Sequence, residues 1–270
     1  MQRSALFFTT FFLVAAIVGC HDKDPSPEAC KPHSLLYETD SIVYTYAGHR
    51  ITTVIYYGSG VITNRDEFTY DSEGRLSTVA KLLIAFDGSA AVDSHHTITY
   101  DGNGRPKTLA TDSYSGHYET GFTHNDKAQL ASAETTYGDQ HWYVGTTRYE
   151  YDDNGNVPKV YYTLNLNGKY TEVLARENLS FDNKEKFYVN TPELKVLNEY
   201  VYGYLPNKNN CLGSTVYYYS YAQHFASPLS INFVATYDDK DQIRSLQSDG
   251  TNTKLYSGEV LFKTVVYNCD

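Results

Sequence analysis

A degenerate repeat recurs along the chain from about residue 40 onwards. Its two clearest copies begin at Phe68 and Ile98 and read FTYDSEGRLSTV and ITYDGNGRPKTL. The anchor positions of the seven recognisable copies are Tyr46, Tyr70, Tyr100, His124, Tyr151, Phe181 and Tyr237. Self-similarity at a nearly fixed spacing is typical of one repeat array in which neighbouring units share a core. We therefore expect a single domain over residues 39–270.

Each repeat unit predicts a β-hairpin. Phe68 and Tyr70 are two residues apart, so in a strand their rings share one face and Thr69 points to the other. An aspartate then opens a turn, and a glycine three residues later supplies the left-handed residue that closes it. The turn residues predicted in this way are Asp71 with Gly74, Asp101 with Gly104, and Asp152 with Gly155. The apolar residues that follow, Leu76 and Val79, are three apart, which indicates a bulge or a side chain folded over the turn.

Hairpins joined end to end predict an all-β fold. The expected architecture is an antiparallel meander that forms a highly twisted sheet or half-barrel. One segment departs from the repeat: Thr191 followed by Pro192 is typical of a helix start, and Leu194 and Leu197 follow at helical spacing. We therefore expect one short helix near residues 192–202 that plugs one face or end of the sheet.

The string Tyr-Asp-x-x-Gly-Arg-Leu at residues 70–76 resembles the YD repeat of RHS-type and teneurin-like proteins. In those families such hairpins coil into a hollow β shell around a cargo polypeptide. The present spacings of 24 to 30 residues are longer, and seven copies are too few to close such a shell. Residues 40–268 are also similar to small bacterial envelope lipoproteins, which carry degenerate YD-like hairpins and a helix-loop insertion running from a proline to an Asn-Asn pair. That family has no known function, so the resemblance implies a fold and transfers no catalytic residues.

The first nineteen residues have the form of a secretory signal. Arg3 precedes an apolar run from residue 5 to 18, which is too short to span a bilayer. The run ends Ile-Val-Gly-Cys20 and is similar to the lipobox of bacterial lipoproteins, so we expect cleavage before Cys20 and lipidation of its thiol. An ordinary signal peptide or an uncleaved anchor is the alternative. This gives a signal at residues 1–19, a lipidated tether at 20–38, and an outer-membrane lipoprotein on the periplasmic face or the cell surface.

Composition excludes one class of partner. Lys and Arg number 22 against 32 Asp and Glu, for a net charge of -10, so no basic face is available for nucleic acid. After lipidation three cysteines remain, Cys30, Cys211 and Cys269. In an oxidising envelope two of them can pair, and the sequence leaves all three pairings open. A catalytic thiol would need a histidine beside it in space, which the sequence does not indicate.

Motifs for catalysis are missing from the sequence. It has no Gly-x-Ser-x-Gly elbow, Walker loop, His-Glu-x-x-His helix or Cys-x-x-Cys pair. Residues 152–156 place oxygen ligands like a calcium loop, but Val157 and Thr163 stand where that loop needs glycine and glutamate. A hairpin turn is therefore expected there. We predict that the protein is not an enzyme.

Histidines do not predict a metal site either. His95 and His96 are adjacent, so in a strand they point to opposite faces. His117, His124 and His141 belong to consecutive units and converge only if the sheet curls. We expect neither a metal nor another cofactor.

Aromatic residues carry the remaining functional signal. Tyrosine occurs 27 times and tryptophan once, and a single-layer sheet exposes some of these rings. The candidate ligand surface comprises Trp142, Tyr143, Tyr217 and Tyr219, and the alternative is that these rings form cross-strand ladders within the sheet. Our leading expectation is a non-enzymatic binding or scaffold module for an unidentified partner, either a protein or a glycan. The alternative is a glycan-binding accessory lipoprotein of a polysaccharide-uptake system, and a purely structural or immunity-like role has no residue-level support either way.

Overall fold

A computed structural model describes residues 31–138, 142–166, 168–188, 191–219, 226–239, 241–248 and 264–268. It contains sixteen strands: β1 Lys31–Tyr37, β2 Asp40–Ala47, β3 Arg50–Gly58, β4 Val61–Tyr70, β5 Leu76–Ile84, β6 Ala90–Tyr100, β7 Pro106–Ser113, β8 Gly116–His124, β9 Leu130–Tyr137, β10 Trp142–Glu150, β11 Lys159–Leu166, β12 Lys169–Glu185, β13 Asn209–Tyr219, β14 Ala226–Tyr237, β15 Ile243–Ser248 and β16 Thr264–Asn268.

The strands form one antiparallel meander that nearly closes into a barrel. From β1 to β15 each strand pairs with the next along the chain, and β16 pairs with β1, so that Leu36 lies opposite Thr264. The ends meet where the Tyr267 hydroxyl donates a hydrogen bond to the Ile243 carbonyl oxygen of β15, at 3.2 Å. The predicted all-β meander is confirmed, and it curls further than the expected half-barrel because β16 returns to β1.

A β-bulge follows the turn in the two clearest units, between β4 and β5 and between β6 and β7. Phe68 lies opposite Val79 and Tyr70 lies opposite Leu76, so β5 has one residue more than β4 between these two pairs. The extra residue lets Leu76 and Val79 both face inward although they are three apart in sequence. Their exposed fractions are 2% and 0%. The bulge is thus the reason for the broken alternation in the sequence.

Adjacent units are joined by the tyrosine and arginine of the repeat. The Tyr100 hydroxyl donates to the Leu76 carbonyl oxygen of the preceding unit at 2.6 Å. The Arg75 guanidinium lies 4.5 Å from the centroid of the Tyr100 ring, and its Nε donates to Asp71 at 2.8 Å. In this unit the same arginine therefore orders its own turn and the tyrosine of the next unit.

The same hydrogen bond identifies an eighth copy of the repeat. The phenol-to-carbonyl bond recurs in Tyr46 with Pro32, Tyr70 with Ile51, Tyr151 with Leu130, and Tyr267 with Ile243. Tyr267 lies thirty residues after Tyr237, which is one repeat spacing. Strand β16 is thus the last anchor strand of the array, which the sequence comparison missed.

A helical segment fills part of the barrel interior. Residues 191–208 belong to the segment between β12 and β13, and we call them the plug. Within the plug, helix α1 (Pro192–Val196) continues directly into a π-helical turn (Leu197–Val201). Leu194 and Leu197 are completely buried against the inward residues of the strands. The helix predicted near residues 192–202 is confirmed.

The two ends of the barrel differ. One end, which we call the plugged end, holds the turns at residues 48–49, 71–75, 101–105, 125–129, 151–158 and 238–242, and the plug connects there. The opposite, open end holds the turns at residues 38–39, 59–60, 85–89 and 114–115. Near the open end apolar side chains are left in solvent: Val61 is 45% exposed, Leu83 49% and Val92 67%.

The first residue of β1, Lys31, lies at the plugged end, where its Nζ donates to the Gly48 carbonyl oxygen.

Candidate functional site

The acidic turn residues serve the turns in which they lie. Asp101 Oδ1 accepts hydrogen bonds from the backbone N–H groups of Asn103 and Arg105, both at 2.9 Å. These bonds, above all that from Arg105, lower the pKa of Asp101 to about 2. Asp71 and Asp152 accept the same pair of bonds in their own turns. The turn glycines have positive φ angles: Gly74 +82°, Gly104 +75° and Gly155 +85°.

The four aromatic residues singled out in the sequence all lie towards the open end, two on β10 and two on β13. Tyr143 of β10 packs edge-on against Tyr170, with ring centroids 4.7 Å apart. Tyr217 lies on β13, and β11 and β12 separate it from β10, a distance of about 14 Å at ordinary strand spacing. The backbones of Trp142 and Tyr219 belong to β10 and β13, while their side chains lie outside the described part of the structure.

Two further aromatic residues at the open end escaped the sequence analysis. Phe86 lies at the tip of the hairpin β5–β6 and is 98% exposed, and Tyr114 lies at the tip of β7–β8 and is 95% exposed. The two hairpins are adjacent in the sheet. Their signal in the sequence is an aromatic residue inside a turn, Phe86 before Asp87-Gly88 and Tyr114 between two serines. Nearly complete exposure of neighbouring aromatic side chains is typical of an interaction surface.

Beside the plug lies a cavity of about 550 Å³, which we call the inner cavity. Its wall is formed by inward residues of β7 to β13 and its floor by the π-helical turn. Aromatic lining residues are Phe122, Tyr149, Tyr162, Tyr200, Tyr202 and Tyr217. Two charged residues, Arg176 and Glu199, also line it. A volume of this size and a largely apolar wall with few polar groups are typical of small-molecule sites.

Arg176 is buried in this wall. The residue is 5% exposed, and its Nε donates to Asn178 Oδ1 at 2.6 Å. Its Nη2 is buried and has no hydrogen-bond partner among the residues that the structure describes. A buried donor without a partner is costly, and more so on a charged group.

Glu199 separates the inner cavity from a second cavity of about 530 Å³ at the plugged end. It lies in the π-helical turn and is 5% exposed. Burial raises the pKa of Glu199 to about 7, and Lys195 and Lys186 oppose this rise. The next residue, Tyr200, shares a hydrogen bond of 3.0 Å with His124 Nε2. Wider helical turns of this kind occur frequently at functional sites.

A buried polar cluster joins the end of the π-helical turn to the barrel wall through hydrogen bonds. Asp66 is 2% exposed and accepts hydrogen bonds from the Tyr56 hydroxyl at 3.0 Å and from the Tyr202 hydroxyl. The Lys81 ammonium lies 4.5 Å from the centroid of the Tyr202 ring. Burial raises the pKa of Asp66 and lowers that of Lys81. These groups satisfy one another, so we assign them to positioning the plug.

The histidines are placed apart from one another. His95 is exposed while His96 is buried and hydrogen-bonded to Thr111 at 2.9 Å, so the two point to opposite faces as predicted. His117 pairs with Asp112 at 2.7 Å, and His141 lies outside the described residues. Within the described ranges no three His, Cys, Asp or Glu side chains come together as a metal site would require.

Of the cysteines, Cys211 alone falls within the described ranges, where it is fully buried. Cys20, Cys30 and Cys269 lie outside them, so lipidation and disulfide pairing stay predictions. In the part of the chain that the structure describes, no helix has both the length and the apolar character needed to cross a bilayer.

Comparison with known proteins identifies no family for this chain. No protein-family model matches it, and no curated protein does. Among solved structures it is similar to a porin-like protein from Bacteroides uniformis, with 12% identity, a TM-score of 0.48, and coverage of 80% of this chain and 87% of that one. It is also similar to the Photorhabdus luminescens Tc holotoxin pore, with 14% identity, a TM-score of 0.36, and coverage of 77% and 9%. A protein of unknown function from Bacteroides fragilis matches with 10% identity, a TM-score of 0.24, and coverage of 50% and 91%.

Proposed function

We propose that the chain is a non-enzymatic outer-membrane lipoprotein that is anchored through Cys20 and binds a partner protein at its open end. On the resemblance of its repeat, we assign it to the small envelope lipoproteins with degenerate YD-like hairpins. The roles of the repeated carboxylates support binding over catalysis, because these groups stabilise turns. The aspartates at positions 71, 101 and 152 are engaged by backbone N–H groups of their own turns.

The position of the tether supports an open end that faces away from the membrane. Lys31 lies at the plugged end, and ten residues separate it from Cys20. Ten residues span at most about 36 Å when fully extended. The tether therefore keeps the plugged end near the bilayer, and the open end is the part best placed to meet another molecule.

The single observation that carries the proposal is the exposure of Phe86 and Tyr114 at that open end, 98% and 95%. Exposing large aromatic side chains to water at neighbouring hairpin tips is unfavourable in the free protein. Such side chains are typical of the hot spots of protein interfaces. The plugged end uses its aromatic residues differently, because its repeat tyrosines bond to backbone carbonyl oxygens of the adjacent unit.

Site-specific photo-crosslinking in living cells tests the proposal. A photoreactive residue replaces Phe86 or Tyr114, and Leu179 serves as the matched control because it is 59% exposed on β12 towards the plugged end. We expect one adduct of the same mass from both tip positions and none from position 179. Adducts of equal yield at all three positions, or none at either tip, would contradict the proposal.

Glycan binding is the second candidate, and the Tyr143–Tyr170 pair favours it. Tyr170 is 50% exposed, and its ring stands at 89° to that of Tyr143, so one ring face is available for stacking on a sugar. On a glycan array we expect binding that falls at least tenfold in Tyr170→Ala or Trp142→Ala and is kept in Tyr114→Ala. Silence on the array removes this candidate.

The anchor is tested separately. Cells grown with an alkyne-labelled fatty acid should label the wild-type protein and leave Cys20→Ser unlabelled. Proteolysis of intact cells then distinguishes the cell surface from the periplasmic face. Label retained in Cys20→Ser would show that the cysteine is not the lipidated residue.

A further inference from the structure

The inner cavity contains a buried cationic group that the repeat architecture does not use. Arg176 lies on β12, and its Nη2 is a buried donor without a partner among the described residues. The guanidinium is held at one side only, through Nε to Asn178 Oδ1. Asn178 Oδ1 also accepts from the Ser214 hydroxyl at 3.0 Å, so the amide has a second donor that fixes its position. Arg176 is thus oriented from behind, and the residue lines the inner cavity.

Among the described residues, no carboxylate forms an ion pair with this guanidinium. The other charged residue of the lining is Glu199, and the charges that act on it are those of Lys195 and Lys186. Tyr162 also lines the cavity; burial raises the pKa of its hydroxyl, and the charge of Arg176 opposes that rise. A phenol is neutral at physiological pH, so it does not balance the charge. An unpaired buried cation is strongly destabilising unless an anion meets it.

We propose that the inner cavity binds a small ring compound that carries one carboxylate, with the carboxylate accepting hydrogen bonds from the Arg176 guanidinium. One unpaired cation matches one negative charge, and a guanidinium N–H is well suited to a carboxylate oxygen. Tyr149, Tyr162, Thr120 and Thr147 line the same space, and this mixture of aromatic and hydroxyl-bearing side chains suits the body of an aromatic acid or a sugar acid. This site lies inside the barrel and uses neither Phe86 nor Tyr114.

The test measures ligand-dependent stability of the mature chain carrying Cys20→Ser. Sodium benzoate and sodium glucuronate are the probes, benzyl alcohol and glucose are their uncharged counterparts, and sodium chloride and sodium sulfate control for ionic strength and for anions in general. We expect a saturable rise of several degrees in melting temperature with at least one carboxylate. The uncharged counterpart should bind at least tenfold more weakly by calorimetry, and chloride and sulfate should give no saturable rise.

Variants assign the response to Arg176. Arg176→Met should abolish the carboxylate-dependent rise and, without ligand, should melt at the same temperature as the wild type or higher, because an unpaired buried charge is removed. Arg148→Met is the matched control: this arginine is paired with Glu172 on the outer face and should keep the full response. Arg176→Lys keeps the charge without the guanidinium and should weaken binding at least tenfold. This variant provides the test of Arg176 if the methionine variant does not fold.

Three results would overturn the proposal: no rise with either carboxylate in the wild type, an equal rise in the Arg176 variants, or an equal rise with sulfate. A cavity-filling variant provides an independent check. Ala133→Trp places an indole in the inner cavity and should remove the response, whereas Ser132→Trp on the outer face should not. The crosslinking at the open end and this ligand response can fail separately, because they probe different residues.

Discussion

Replacing Glu199 with glutamine is expected to stabilise the protein in a pH-dependent manner. Burial raises the pKa of this carboxyl from its ordinary 4.5 to about 7 in the folded state. In the unfolded chain the carboxyl returns to its ordinary value and ionises at lower pH. Between about pH 4.5 and 7 the folded state therefore binds more protons than the unfolded state, so stability falls as the pH rises.

The structure sets the size of this effect. A rise from 4.5 to about 7 corresponds to about 3 kcal/mol of unfolding free energy, since one pKa unit is worth about 1.4 kcal/mol. Glu199 is only 5% exposed, so solvent screens this cost little. Glutamine keeps the shape of the side chain and does not titrate. Relative to wild type, Glu199→Gln should gain about 3 kcal/mol between pH 4 and pH 8, with no further change above pH 8.

Urea unfolding at half-unit intervals from pH 4 to 9 measures this difference. Glu134→Gln is the matched control, because Glu134 is exposed on the outer side of β9. The control should follow the wild-type curve within about 0.5 kcal/mol. A constant difference between Glu199→Gln and wild type across the pH range would refute the reasoning, since it would show that the carboxyl does not titrate differently in the folded and unfolded states.

Three further predictions concern the architecture. Gly104→Ala should lower the free energy of unfolding by about 1 kcal/mol, because its φ of +75° is unfavourable for alanine. No atom lies within 4 Å of an added Cβ, so a steric clash does not contribute. An unchanged melting temperature would contradict this assignment of the turn. Tyr100→Phe should lower the free energy of unfolding by about 1 kcal/mol, because it removes the donor to the Leu76 carbonyl oxygen. Tyr114→Phe at the exposed tip should leave the free energy of unfolding unchanged. Equal losses in the two variants would count against the coupling of adjacent units. Leu197→Ala should cost about 2 to 5 kcal/mol in urea unfolding because the side chain is completely buried in the core; a loss below 1 kcal/mol would mean that the plug contributes little to stability.

Much of the fold could be predicted because its signals are local. The spacing of Tyr70, Asp71 and Gly74 predicts strand, turn and left-handed closure within a few residues, and each of these depends on backbone sterics and short hydrogen bonds. The closure of the barrel could not be predicted in the same way. The copy at Tyr267 has Asn268 instead of an aspartate after the tyrosine, and the feature that identifies it is a hydrogen bond to a distant strand.

The candidate site was less predictable because its properties depend on the burial of charged side chains, and not on the residue types alone. A helical wheel over residues 192–202 accounts for Leu194 and Leu197 but not for Glu199, whose burial follows from the π-helical turn. Arg176 lies within a strand of seventeen residues that contains no repeat motif at that position. Both are ordinary polar residues in the sequence, and only the closed barrel removes them from water.

The inner cavity itself follows from the number of strands. The interior of a closed sheet widens as strands are added, and eight strands already leave just enough room for side chains. This barrel has sixteen, and its plug offers a helical segment of ten residues, which is about 15 Å long when helical. Leu194 and Leu197 of that segment pack in one core cluster with Val54 and Val79, and the inner cavity lies beside the segment, between it and β7 to β13. Tyrosines from those strands narrow the remaining space without filling it. An array that grows by whole hairpins thus encloses more volume than one short insertion can occupy, and the place where it does so is where the buried Arg176 lies.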